Sequence, residues 1–265
     1  MNEFAHNHVR VEIDSSVAVI TLARPDKHNA FDLAMAQDLH AAVQRAARGA
    51  QSGAVRAIVL AAEGKVFSVG GDLAYFSGSG DRSERMRQVA TALHDALELL
   101  TTASVPVVSA LHGIAAGAGV GLVLAADIVL AGPHAKLRLA YTAGGLSPDC
   151  GASWILPRRV GMARAMDLAL TNRAVDAIEA EKWGLVSRLT DSDDVVSEAR
   201  AIARRLAAGP SEAFAATKHL LWTSLDRSFV AHLNSEAEAI SRLVDSPDGR
   251  EGIDAFLAKR APTFS

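Results

Sequence analysis

Apolar and polar residues alternate over residues 9–13, and residues 17–22 form an apolar run broken only by Thr21, with Asp14-Ser15-Ser16 between them. Two such stretches around a short polar break predict two strands joined by a turn. Arg24-Pro25-Asp26-Lys27 ends the second strand, because proline cannot continue a sheet ladder. From Asp32 the period changes: Leu33, Ala36, Leu39, Val43 and Ala46 fall at helical spacing and predict a helix over 32–48 with Asp32 as its cap. Residues 57–61 read as a short buried strand, 84–100 as a helix halted ahead of Pro106, and 106–111 as another buried strand. A glycine-rich turn leads into 120–126, and 127–131 is strand-like again. Beyond about residue 160 the pattern is helical throughout: 161–170, 177–183, 192–208, 211–223, 226–243, and a last amphipathic helix over about 249–259. Strands alternating with helices predict an α/β class with a largely parallel sheet, here followed by a helical tail.

Composition narrows the function classes. The chain has 265 residues, 49% hydrophobic and 22% charged, an ordinary globular balance. Twenty-seven basic against 30 acidic residues leave a net charge of -3, so no broad positive field recruits nucleic acid. Cys150 is the one cysteine. It rules out an intramolecular disulfide and a cysteine-based zinc cluster, and no H-x-x-x-H spacing suggests another metal site. A reducing cytoplasm suits such a chain. The start Met1-Asn2-Glu3-Phe4-Ala5-His6 lacks the basic and apolar regions of a signal peptide. The longest uncharged apolar run, 114–126, holds Gly117, Gly119 and Gly121 and stops at Asp127, too short to span a bilayer. The expectation is a cytoplasmic enzyme with no membrane or nucleic-acid partner.

Two segments share one design, an apolar strand followed by a loop of small residues and a helix. They are Phe67-Ser68-Val69-Gly70-Gly71-Asp72-Leu73 and His112-Gly113-Ile114-Ala115-Ala116-Gly117-Ala118-Gly119-Val120-Gly121. Small residues let backbone N–H groups approach a ligand closely. Two such loops can supply two N–H donors to one developing oxyanion. The second loop misses the dinucleotide spacing G-x-G-x-x-G, because Leu122 stands at the last glycine, and no phosphate-binding G-x-x-x-x-G-K-[ST] occurs. Taken singly, each turn is equally what tight strand–helix packing produces.

Together the two loops resemble those of the crotonase, or enoyl-CoA hydratase/isomerase, superfamily. The resemblance runs through Arg24-Pro25-Asp26-Lys27-His28-Asn29-Ala30, residues 67–73, 106–127, Gly145-Leu146-Ser147-Pro148-Asp149 to Leu156-Pro157, Ala180-Glu181-Lys182-Trp183-Gly184-Leu185-Val186 and Ala255-Phe256-Leu257-Ala258-Lys259-Arg260. It implies a ClpP/crotonase-like α/β spiral of ββα units, with a core over 1–200 and a C-terminal helical region over 201–265 that assembles a homotrimer or a dimer of trimers. It further implies an acyl-CoA substrate, no tightly bound cofactor, and an oxyanion hole made by the N–H groups of Gly71 and Ala118. Alanine replaces the glycine usual at the latter position.

By the same resemblance, hydratases carry two glutamates, which here would fall at Gly121 and Tyr141. Both are absent, so a two-glutamate hydration is excluded. Asp149 stands where isomerase-type members place an acid, and where dehalogenases acting on halobenzoyl-CoA place a nucleophile. One carboxylate in an apolar pocket can move a proton alpha or gamma to a thioester; the alternative is that Asp149 caps a helix starting near Gly151. His94 matches a functional histidine of the dehalogenases but is equally a structural helix residue. Tyr141 lines the pocket, donates a hydrogen bond or merely packs, and Cys150 reads as a packing thiol. Coenzyme A would lie along Lys27, Asn29, Ala30, Val69 and Gly70. Phe256 and Lys259 would complete its site from a neighbouring subunit, or else lie on a solvated terminal helix. An enoyl-CoA isomerase is the leading expectation, with a hydratase- or dehalogenase-like enzyme, or a CoA-ester-binding protein without catalysis, as rivals.

Overall fold

The alternation in the first residues becomes a meander. In the computed structural model, which describes residues 4–6, 8–78 and 80–265, strands β1 (Phe4–His6), β2 (Val9–Asp14) and β3 (Val17–Leu22) pair antiparallel. Ser15 and Ser16 form the second turn with φ of 49° and 61°. A two-residue turn with both centres left-handed matches the twist of the flanking strands. Then come α1 (Leu33–Gln51), β4 (Ala57–Ala62), α2 (Leu73–Ser77), α3 (Arg82–Thr102), β5 (Val107–Leu111), β6 (Ile114–Ala116) and α4 (Ala118–Leu124). The chain continues through β7 (Ile128–Ala131), β8 (Lys136–Arg138), α5 (Ala152–Val160), α6 (Met162–Thr171), β9 (Val175–Asp176), α7 (Ala177–Lys182) and β10 (Arg188–Leu189). It ends in α8 (Val195–Ala207), α9 (Ser211–Thr223), α10 (Phe229–Val244) and α11 (Pro247–Leu257).

The main sheet has the order β1-β2-β3-β4-β5-β7-β10 and is parallel from β3 onward. A parallel sheet must be covered on both faces, and β4 shows how. Ile58, Leu60 and Ala62 join the core filled by α1 and α3. Ala57, Val59 and Ala61 face the other way and pack with Val195, Ala199, Ile202, Ala203 and Ala207 of α8. The cap expected at Asp32 is present, with its side chain accepting from the Met35 amide at 2.9 Å.

Three expectations are corrected. The tail is not all helical, since β9 joins a small sheet of order β6-β8-β9 and β10 extends the main sheet beside β7. Strands of two residues carry no readable period. A core boundary at residue 200 would cut α8, whose apolar stripe is part of the core; the helical extension starts at α9. The segment expected over 120–126 is a helix that already begins at Ala118, and 114–116 form a strand. No helix among the described residues is long and apolar enough to cross a membrane.

One buried ion pair fastens α9 to the core. Lys218 Nζ donates to Leu100 O at 2.7 Å and lies 2.9 Å from Asp127 Oδ2. Asp127 also accepts from the Val107 amide at 2.8 Å and from Trp222 Nε1 at 3.3 Å. Burial pulls the Lys218 pKa below its ordinary value, and the Asp127 charge opposes that pull. Removing one partner of such a pair strands the other charge. Lys218→Met should therefore lower the unfolding free energy in urea by about 3 kcal/mol, and adding Asp127→Asn should restore part of it.

Candidate active site

The two glycine loops meet backbone to backbone. The Phe67 amide donates to Ile114 O at 2.9 Å, and the Ala116 amide donates to Ser68 O at 2.8 Å, so residues 67–68 run beside β6. Ser68 is fully buried; its hydroxyl donates to Asn29 O at 2.8 Å and accepts from the Gly70 amide at 3.1 Å. This bond holds Gly70 at φ 86°. A Cβ there would stand 2.9 Å from Ala116 O and 3.1 Å from the Ala118 nitrogen, so conformation and space both demand glycine.

This packing leaves two donors unspent. Gly70 O accepts from the Phe31 amide at 2.8 Å, and the Asp72 amide donates to Phe31 O at 2.9 Å; the pattern skips Gly71. Ala118 opens α4, where amides lack an intrahelical acceptor. Among the described residues neither the Gly71 nor the Ala118 N–H donates to a backbone carbonyl. The two lie on loops in direct contact. Ala118 belongs to the buried core, so its methyl is absorbed by packing.

At Gly121, where the resemblance places the first glutamate of hydratases, there is no room for a side chain. A Cβ on Gly121 would lie 2.0 Å from Cys150 O, so any side chain there would displace the segment 149–151. At the second glutamate position the Tyr141 hydroxyl donates to Asp149 Oδ1 at 2.6 Å. Burial and the Asp149 charge push the Tyr141 phenol far above its ordinary pKa, which keeps it a donor. The capping alternative for Asp149 is corrected: α5 is capped by Gly151 with no side-chain bond, while the Asp149 oxygen Oδ1 is held by Tyr141.

His94, on α3, accepts the Cys150 N–H through Nε2 at 3.2 Å. One ligand atom each of His94, Asp149 and Cys150 lies within 4.8 Å of the others, a juxtaposition that sequence spacing did not reveal. The donors are already engaged inside the chain. Nε2 holds an amide, Oδ1 holds a phenol, and burial followed by the Asp149 charge pushes the Cys150 thiol up, so it stays protonated. That makes Cys150 an unreactive packing thiol.

The residues expected along coenzyme A separate into groups. Lys27 is exposed at the end of a 3₁₀ turn, Pro25–Lys27, and Val69 is 39% exposed beside the loops. Asn29 must be corrected, because its side chain is fully buried and fully used. Its Oδ1 accepts from the Arg24 amide at 2.9 Å, and its Nδ2 faces Glu63 O, Val66 O and Phe67 O at 2.9 to 3.2 Å. It is an internal strut of the first loop. Ala30 is buried too, leaving little of it for a ligand. Phe256 and Lys259 do not share a helix, since α11 ends at Leu257. The Lys259 amide bonds Phe256 O and the Arg260 amide bonds Ala255 O, with Lys259 at φ 51°, a Schellman ending. Phe256 is 82% exposed, and no described hydrogen bond or ion pair links either residue to the glycine loops.

Ser68 is the hub of the first loop. Nothing in Phe67-Ser68-Val69 signals that role, because the carbonyl its hydroxyl donates to, that of Asn29, is distant in the chain.

Comparison with known proteins agrees with this geometry. The sequence profile described as enoyl-CoA hydratase/isomerase matches residues 12–265. A probable enoyl-CoA hydratase of Rhodobacter capsulatus is 42% identical, covering 98% of this chain and 99% of its own. A 1,2-epoxyphenylacetyl-CoA isomerase of Escherichia coli is 33% identical, covering 100% and 99%. The crystal structure of a putative enoyl-CoA hydratase/isomerase from Mycobacterium abscessus superposes with a TM-score of 0.92 at 39% identity, covering 97% and 99%. Matched over almost its whole length by the family model, the relatives and the solved structure, the chain belongs to the enoyl-CoA hydratase/isomerase family.

Proposed function

We propose that this protein is an acyl-CoA isomerase that moves a proton between carbons of an enoyl thioester. The observation that carries this reading is the Tyr141–Asp149 bond of 2.6 Å beside a Gly121 position closed by Cys150. One carboxylate, aimed by one donor, replaces the two glutamates that would activate water. Asp149 takes a proton from the carbon alpha or gamma to the thioester. The electron pair flows onto the carbonyl oxygen, which the Gly71 and Ala118 N–H groups receive. The same carboxyl returns the proton to the other carbon, so the double bond shifts and nothing is added or lost. Lys27 supplies a cation for the CoA phosphates.

Water addition, or halide displacement from a halobenzoyl-CoA, is the second reading. His94 favours it, because its ring stands close enough to Asp149 for one water to bridge them. Product analysis separates the readings: a shifted double bond, a hydroxyacyl-CoA, or free halide. Saturable CoA-ester binding without proton exchange would indicate a binding protein.

The proposal extends to a homotrimer or a dimer of trimers. Phe229, Val230, Ile240, Phe256 and Leu257 are strongly exposed on α10 and α11, more apolar surface than a lone chain ordinarily shows. Sedimentation should report three or six copies, and a monomer would contradict this.

Asp149→Asn should lower isomerisation by about 100-fold or more, with CoA-ester binding retained. The measurement is deuterium uptake at the alpha carbon across a panel of acyl-CoAs, and undiminished turnover would overturn the assignment. Tyr141→Phe removes a hydrogen bond to a charged group, so kcat should fall roughly tenfold, with KM nearly constant in steady-state assays.

A further inference from the structure

Arg24 sits between β3 and the 3₁₀ turn and spreads its guanidinium over two carboxylates. Its Nη2 lies 2.9 Å from Asp32 Oδ2, its Nη1 lies 3.2 Å from Asp72 Oδ2, and Nη1 also donates to Ala30 O at 2.9 Å. The Arg24, Asp32 and Asp72 side chains are 14%, 17% and 14% exposed, so solvent screens the cluster only weakly. Each carboxylate turns its other oxygen to a helix N-terminus: Asp32 Oδ1 takes the Met35 amide of α1 at 2.9 Å, and Asp72 Oδ1 takes the Tyr75 amide of α2 at 3.1 Å. One planar fork thus joins Ala30-Phe31-Asp32 to Asp72. The same stretch, through Phe31, bonds Gly70 and Asp72 on either side of Gly71.

We propose that Arg24 is a positioning residue that fixes the direction of the Gly71 N–H through Asp72 without touching substrate. The inference rests on the oxyanion role proposed for Gly71. Two carboxylates at fixed angles need a fork; a lysine ammonium is a point charge that cannot hold both and the Ala30 carbonyl in that geometry. With Arg24 in place, the peptides flanking Gly71 are restrained by Phe31 on one side and by the charged clamp on the other. A merely structural ion pair would change stability and leave the carbonyl's environment alone.

The test uses Arg24→Lys, Asp72→Asn and the double variant. Asn caps a helix as well as Asp does, so Asp72→Asn keeps α2 while releasing the clamp. The probe is dimethylaminocinnamoyl-CoA, whose absorbance moves to longer wavelength when its thioester oxygen is hydrogen-bonded. Each single variant should lower kcat about tenfold or more with KM little changed, and should shrink the spectral shift. The double variant should be no worse than the worse single one, as for residues acting as a unit. Thermal melting of the same samples identifies the folded variants, and Asp72→Asn carries the test if Arg24→Lys does not fold. Unchanged kcat and unchanged shift in a folded variant would overturn the inference alone. A wild-type protein that binds the probe without any shift would overturn the oxyanion reading and this inference with it.

Discussion

The contact of Gly70 with the backbone of Ala116, Gly117 and Ala118 is the constraint on which the site depends. It brings two loops from separate strand–helix units within bonding range and is possible only without a side chain at residue 70. Its consequences spread outward. Ser68 and Asn29 spend their polar atoms holding the first loop, which is why both are fully buried polar side chains without cost to the fold. The small sheet β6-β8-β9 exists because β6 serves at once as partner to residues 67–68 and as the lead into α4. Among the described residues, the Gly71 and Ala118 amides donate to no backbone carbonyl where the loops meet.

A second close approach shapes the proposed acid–base site. Cys150 O occupies the space over Gly121, and the left-handed pair Cys150 and Gly151 turns the chain so that Asp149 meets Tyr141. The phenol, held protonated, gives the carboxylate a hydrogen bond, and the proposed proton transfer rests on that pairing.

The C-terminal helices divide into a part tied to the core and a part left open. Lys218 and Trp222 of α9 reach Asp127 at the start of β7, and Trp222 stacks on Trp154 with ring centroids 5.7 Å apart. Beyond α9 most of the large apolar residues of α10 and α11, Phe229, Val230, Ile240, Phe256 and Leu257 among them, are exposed. The core is finished by α8, and the helical extension after it is anchored at its near end through α9 and at the C-terminus by Arg56, whose Nη1 donates to Ser265 O.

Much of this was legible in the sequence. Alternation, helical spacing and short continuous apolar runs predicted the hairpin, α1, α3, β4 and β5, because those elements bury one or both faces and the pattern records burial. Asp32 was readable as a cap, since capping is a local bond. The glycine loops were readable as a pair, and Asp149 stood out through its position in a resembling motif. The two-residue strands β9 and β10, the exclusion of side chains at Gly121, the internal use of Asn29, the hub at Ser68 and the early end of α11 were not legible. Each depends on a carbonyl or carboxylate supplied by a residue distant along the chain or, for α11, on the handedness of one backbone turn. The sequence alone determined the long strands and helices and which residues carry reactive groups. Tertiary structure decided which of those groups face one another, because a hydrogen bond at 2.6 Å or a forbidden Cβ at 2.0 Å exists only once distant segments share the same space.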